Sequence, residues 1–357
     1  AEGKSCAYDA ETQKAEENIR KPVKQGVAYL DARKLYDEAE KMPEGPERNK
    51  KWREAAAAYK VALDSAPDRD EAPEAAMNGA YAYKQVGEYD KAIEMYELFI
   101  SRYGNEKTLS ALKSGDAKAK PPVAANPKKY EERVKYLQNA YDALAGAYVL
   151  FFNYPRAAET YDKISNNQNF QQKDRREAAR QGLSLYASLG DRGGMTRARE
   201  RFATLGASPK ETAEADFIVA SAELKRWDPY SGDDGANGAA RRSAQRAMDD
   251  FYTVNKNKDA AAQYVVQAAY WSAKTRKAVL AGDTDKWWNT TIDAFEKWKK
   301  VAPQEGGKNS ALGSKEANMA AEADFTLQDA EVNRAFDYET GHHRYKGTMQ
   351  EVVNTYN

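Results

Sequence analysis

The sequence predicts an all-α protein, built as a helix–turn–helix repeat solenoid with no sheet. Three observations lead there. In Glu74–Gly104, Ala76, Ala80 and Tyr83, then Ala92, Tyr96 and Phe99, recur at three- and four-residue spacing on either side of Gly87. That spacing puts each set on one helical face. The same order of small and aromatic residues returns at Trp52, Ala55, Tyr59 and Ala62, at Tyr154, Ala157 and Tyr161, and at Ala198 and Phe202. Finally, 41% apolar residues suffice to line one face of each helix, while 31% charged residues and a mean hydropathy of −0.88 keep the other faces wet.

Within the organising stretch, Gly87 supplies the permissive backbone that ends the first helix. Asp90 sits in the first turn of the second helix, where negative charge is favoured. The run Gly87-x-Tyr89-x-x-Ala92-x-x-x-Tyr96-x-x-Phe99 closely resembles the tetratricopeptide (TPR) family, whose helix–turn–helix unit is about 34 residues long. The resemblance implies a right-handed superhelix through at least residue 209. It also implies a non-enzymatic protein that binds other proteins or peptides in its concave groove.

Taken in order, residues 1–22 form a polar lead-in, frayed or briefly helical, that ends at Pro22. Val23 to Lys41 reads as a helix carrying Val27, Leu30, Leu35, Tyr36 and Ala39, broken by Met42-Pro43-Glu44-Gly45-Pro46. With Trp52 to Pro67 it makes repeat one, with an enlarged turn. Repeat two is the organising stretch. Residues 105–127, with Gly115, Pro121-Pro122, four lysines and few large apolar residues, read as an inserted loop outside the solenoid core. Repeat three places Tyr141, Leu144, Ala145 and Tyr148 on its first helix and Tyr154 to Ile164 on its second. Repeat four runs from Asp174 through Leu183 and Tyr186, turns at Gly190-Asp191 with an extra Gly193-Gly194, and ends before Pro209.

Residues 23–209 thus hold four repeats, and 210–357 hold degenerate ones. A fifth pair has Phe217 and Leu224, the turn Asp228–Gly238, then Met248 and Phe251. A sixth has Tyr264 and Trp271, then Trp288, Phe295 and Trp298. Gly313 to about Asp337 is a further helix, with Met349–Tyr356 as its partner. The small residues of the second helices (Ala55, Ala92, Ala157, Ala198, Ala244 and Thr291) lie 37, 65, 41, 46 and 47 apart, and the large gap holds the insertion. Without a polar capping helix at its end, the chain reads as cut from a longer array.

Charge narrows the partners. Lys+Arg and Asp+Glu balance at 55 each, so no net field recruits nucleic acid or an anionic membrane. No apolar run approaches the roughly 20 residues of a membrane span, and no basic-then-apolar leader is present. Cys6, the single cysteine, permits no intrachain disulfide and reads as an incidental thiol. The adjacent His342 and His343 point in different directions on a helix, so they do not clamp one metal. Asp228–Gly238 lacks the alternating oxygen ligands and terminal Glu of a calcium loop and reads as a turn. Phosphate loops and nucleophile elbows are missing. No catalytic residue, metal site or cofactor is therefore assigned.

Most of the tyrosines and tryptophans fall at core spacing. Trp287-Trp288 is the exception, because adjacent rings cannot both face one interior; one belongs in a seam between repeats or on the surface. By the family's geometry, the groove is lined by Met77, Asn78, Tyr81, Lys84 and Gln85, then Asn139 and Asp142, then Glu177, Arg180 and Gln181. This polar lining with a Met and a Tyr suits an extended or helical segment of a partner protein. Asn139 and Ala143 stand where TPR proteins that clamp chaperone C-termini have cations, so that subclass is not expected. The alternative is a helical-toroid polysaccharide-processing enzyme or carbohydrate-binding domain, which needs paired carboxylates in a cavity. The long irregular repeats and polar inserts resemble TPR scaffolds of the bacterial envelope that serve outer-membrane assembly or surface motility. The expected place is thus a multiprotein complex in the periplasm, with the cytoplasm as the alternative.

Overall fold

The computed structural model describes residues 10–119, 122–337 and 344–345. Cys6, His342, His343 and the expected Met349–Tyr356 helix lie outside them. Among the described residues are fourteen α-helices, and the backbone pairing outside them is slight. It amounts to the two-residue ribbons Gln304–Glu305 with Lys308–Asn309 and Phe336–Asp337 with Arg344–Tyr345, and the bridge between Asp116 and Val123. None of these forms a layer. The fold is a helical-hairpin repeat.

Contacts divide the chain into two compact units, residues 1–185 and 186–357. The division falls inside a helix and not at the sequence-derived boundary of 209/210. Unit 1 contains α1 (Ala10–Lys41), α2 (Pro46–Ser65), α3 (Ala72–Gln85), α4 (Tyr89–Leu98), α5 (Glu106–Ser114), α6 (Pro127–Leu150), α7 (Tyr154–Asn166) and most of α8 (Gln172–Leu189). Helix starts follow local chemistry. Pro46, Pro73, Pro127 and Pro155 occupy first-turn positions, where the missing N–H is not wanted. Asn105, Asn126 and Asn153 cap α5, α6 and α7 through their side-chain oxygens. α1 packs on α2, α3 on α2 and α4, and α6 on α4 and α7, and α3 also touches both α1 and α6.

Alanine against aromatic ring is the recurring contact of unit 1. Ala55 is fully buried, and so are Ala76, Ala80, Ala92, Ala140 and Ala157, which share one core with Trp52, Tyr59, Tyr83, Tyr96 and Phe99. Buried phenols find acceptors: Tyr29 Oη donates to the Ala66 carbonyl at 2.9 Å and Tyr103 Oη to that of Pro67 at 2.8 Å. Burial pushes the Tyr29 hydroxyl up to about 12.

Two expectations are corrected here. The lead-in is no separate segment: α1 starts at Ala10 and runs through Pro22, whose carbonyl accepts from Arg69 Nη1 at 3.0 Å. Nor is 105–127 outside the core. It folds into α5, whose Leu109 is buried in the unit 1 core, and a short reversal follows in which Asp116 and Val123 exchange backbone bonds of 2.8 and 3.0 Å. Asn126 N–H then donates to the Leu112 carbonyl at 2.7 Å. One leucine and backbone bonding dock this polar stretch, which is why hydrophobicity alone misplaced it.

Unit 2 continues with α9 (Arg192–Thr204), α10 (Pro209–Ala222), α11 (Gly235–Asn255), α12 (Ala262–Lys277), α13 (Thr284–Val301) and α14 (Lys315–Ala335). Gly193 and Gly194 belong to the first turn of α9 and not to an enlarged loop. A Cβ on Gly194 would come within 2.2 Å of the Tyr186 ring, so glycine is required there. Ser208 and Glu211 form a reciprocal capping box at α10. The core gathers Phe217, Met248, Phe251, Val266, Phe295 and Trp298. Trp288 is buried against Tyr270, and Trp287 lies half-buried against Tyr252 at 5.2 Å. One ring is in the core and its neighbour in a seam, as the sequence requires.

Charged groups also enter this core. The buried Arg276 guanidinium donates to both Asp249 oxygens at 2.9 and 2.8 Å and to Asp283 at 2.8 Å, and lies 4.6 Å over Trp287. Arg241 is likewise buried, held by Asp233 and reaching the Thr275 carbonyl at 3.3 Å. The Glu316 carboxylate accepts from Gln267 at 2.6 Å.

Candidate functional site

The ten sequence-derived residues lie on the first helices of consecutive hairpins of unit 1: α3, α6 and α8. The structure gathers them into two patches. On α3, Met77, Asn78 and Lys84 are half-buried and Gln85 is exposed. Tyr81 is 41% exposed, and its ring is held from below, 5.8 Å from Trp52 and 6.1 Å from Tyr36. Tyr36 in turn lies 4.9 Å from Trp52 and 6.1 Å from Tyr59, whose hydroxyl accepts from Asn78 Nδ2 at 3.4 Å. Burial raises the hydroxyl pKa values of Tyr36 and Tyr59, so these rings stay neutral. The result is an aromatic platform fixed by edge-to-face contacts, with Tyr81 as its open edge. Arg33 of α1 bridges to Glu74 of α3 at 3.2 Å beside it.

The second patch joins α6 and α8. Asp142 keeps an exposed edge, yet the protein crowded around its carboxyl raises its pKa, and the charge of Asp174 adds to the rise. Glu177 shifts the other way. Hydrogen bonds from Arg180 lead that lowering, with Nη2 at 2.7 Å and Nε at 3.0 Å, and Gln181 adds another at 2.7 Å. Tyr161 of α7 sits against both acids: its pKa is raised by burial first, then by Asp142 and Glu177. Asn139 is exposed on the same helix as Asp142.

Arg180 and Gln181 are thus engaged with Glu177 on their own helix. Sequence reasoning took Arg180 for an open anchor and missed Tyr36, Trp52 and Asp174. An i, i+3 acid–base spacing already present at Glu177 and Arg180 carried the first signal. The platform needed knowledge of which hairpin faces meet, which spacing within one helix does not supply.

Open grooves run between the helices. One of about 470 Å³ lies between α9 and α11 over α10, lined by Met195, Val219, Phe251 and Val254, with Arg199 paired to Asp216 at 2.6 Å on its rim. No helix among the described residues is long and apolar enough to cross a membrane.

No family model matches the chain, and no curated protein matches it. Similar solved structures include a circular tandem repeat protein with novel repeat topology, at 12% identity over 93% of this chain and 71% of that one, with a TM-score of 0.22. Another is Naa15/Naa10 bound to HypK-THB, at 13% identity over 96% of this chain, which spans 54% of that one, with a TM-score of 0.19. A third is a computationally designed self-assembling cyclic homo-oligomer, at 15% identity over 89% of this chain and 99% of that one, with a TM-score of 0.14. At these scores the helical-repeat assignment rests on the hairpins of the chain itself.

Proposed function

We propose that the chain is a non-catalytic, TPR-like scaffold that holds a segment of a partner protein on the first-helix face of unit 1. The observation that carries this reading is Tyr81: a large ring left 41% exposed while Trp52 and Tyr36 fix its orientation. Fixing a ring before binding removes most of the ordering cost, and tyrosine is a frequent binding anchor. Met77 beside it adapts to varied apolar shapes, and Lys84 and Gln85 offer donors at the edge. The non-catalytic half rests on the sequence, which carries neither a phosphate loop nor a nucleophile elbow.

The test is affinity for a partner recovered with the whole chain as bait. Tyr81→Ala weakens it by about 2 kcal/mol while helicity stays at the parent level. Arg180→Ala weakens it less, because the arginine must first leave Glu177. Undiminished affinity in Tyr81→Ala would remove the platform from the interface. The proposed compartment is the bacterial periplasm, as the point of assembly of an envelope complex. Fractionation of cells carrying the tagged chain reads this directly, and a cytoplasmic location overturns it.

A further inference from the structure

We infer that unit 1 pairs with a second copy of itself along α1, antiparallel about a two-fold axis, through the stripe Ile19, Val23, Val27 and Leu30. These four side chains are 72, 63, 47 and 67% exposed. Spacings of four, four and three residues set them on one side of the helix. Tyr29, Ala32 and Ala39, on the other side of the same helix, are buried in the unit 1 core. α1 thus carries a second apolar face, turned away from that core.

The neighbours of α1 explain why this face is open. α3 packs on both α2 and α4, and α6 on both α4 and α7, while α1 packs on α2 and touches α3 more lightly. Every residue from Glu17 to Lys24 is exposed. About two turns of α1 therefore stand largely clear of the body. A helical stretch of that length is marginal in water without tertiary packing. An apolar stripe left open on it marks an interaction surface.

Charge identifies the occupant. One flank of the stripe carries, in chain order, Glu16, Arg20, Asp31 and Lys34. Arg20 pairs with Glu16 one turn away, while Asp31 and Lys34 form no ion pair or hydrogen bond with the described residues. Consider a two-fold axis that lies in the interface and crosses α1 at right angles near residue 25. It makes the two helices antiparallel and keeps this flank against the same flank of the other copy. Residues equally distant from the axis then meet. Val23 lies opposite Val27, and Ile19 opposite Leu30. On the flank, Glu16 lies opposite Lys34 and Arg20 opposite Asp31. Apolar and charged pairs close in one register, each of them twice by symmetry. The order acid, base, acid, base along this flank is its own antiparallel complement, and this selects a second copy of the chain as the occupant. Tyr36 turns away from the stripe towards Trp52, at 4.9 Å, so pairing does not draw on the Tyr81 platform.

Sedimentation velocity of the full chain, from micromolar to several hundred micromolar, reads the proposal. The expected result is a concentration-dependent dimer, with amide exchange in residues 16–34 slowing as the concentration rises. Leu30→Asp should weaken the dimer about thirtyfold or more, because it sets a carboxylate against Ile19 of the other copy. Its melting temperature at low concentration should match the parent's, because Leu30 lies outside the core. Glu16→Lys alone and Lys34→Glu alone each put like charges across both flank contacts and weaken the dimer. An equal mixture of the two variants restores both contacts and dimerises more strongly than either alone. A parent that stays monomeric throughout overturns the inference. So does a dimer that Leu30→Asp leaves at parent strength, or a mixture no stronger than its components. A monomeric parent that holds a partner protein, and loses it in Leu30→Asp, would assign the stripe to that partner instead.

Discussion

Unit 1 and unit 2 solve the same packing problem with different chemistry. In unit 1, fully buried alanines such as Ala92 let two helices approach, and rings such as Tyr96 and Phe99 fill the space beside them. Unit 2 buries small residues too, and adds guanidinium groups to that packing: Arg276 ties α11, α12 and the turn before α13 through Asp249 and Asp283. Apolar packing tolerates small errors of placement, because dispersion and burial are not directional. A buried ion pair tolerates few, because every donor left unmet is a charge without water. Unit 2 is thereby more specific about which helices meet, at a greater penalty when one partner is lost.

The sharpest way to break the comparison is Arg276→Ala. It leaves Asp249 and Asp283 without their donor and should cost about 3–5 kcal/mol, the range for breaking a buried pair from one side. Hydrogen exchange should show the lost protection concentrated in α11, α12 and α13. Acidification that protonates carboxylates should narrow the gap to the parent. A melting temperature equal to the parent's would mean that Arg276 contributes no net stability, and the contrast between the units would fall.

Its counterpart in unit 1 is Tyr96→Ala, which opens a cavity at a cost of about 3–5 kcal/mol by analogy with Phe→Ala. Here the loss should appear in α3, α4 and α6 and should not narrow with acid. Ala92→Trp tests the other side of the same contact. Overpacking where two helices touch should cost about 1–3 kcal/mol or more. If both variants melt like the parent, the inner face of the organising hairpin is misplaced.

These two chemistries differ in how far they can be read from sequence. Placing one small residue in each second helix marked Ala55, Ala92, Ala157, Ala198, Ala244 and Thr291, and all six are buried. A helix–helix contact constrains residue size at one point per hairpin, and that constraint survives in the sequence. Arg241, Arg276 and Glu316 left no such mark, because a buried charge and a solvated one are the same letter. Pro22 suggested an end that α1 does not observe, since its neighbours on the same helix still dock through Gln25 and Tyr29. In the site, Tyr81 was legible by its family position, while Tyr36 and Trp52 beneath it depend on packing between hairpins.

The smallest expected effect lies within the first-helix face, where Asp142 and Glu177 carry opposite shifts. The Asp142 carboxyl is raised, by burial first and by Asp174 second, so the folded chain binds its proton more tightly than the unfolded chain does. Its contribution to stability is fully present below the ordinary aspartate value, about 4, and is lost as pH rises through the folded value. At neutral pH the ionised group is therefore a burden, and Asp142→Asn should melt slightly above the parent, with the two curves converging in acid. Glu177 is lowered, chiefly by Arg180, so its contribution is present above the ordinary glutamate value and fades as pH falls through the folded one. Glu177→Gln should accordingly melt slightly below the parent at neutral pH, and that difference too should close in acid. Both effects are modest because water reaches each carboxylate. The pair is informative because the signs differ. If Asp142→Asn melted below the parent at neutral pH, the ionised carboxylate would be a stabilising element of the α6–α8 patch, and the crowding around it would have to be balanced by a donor.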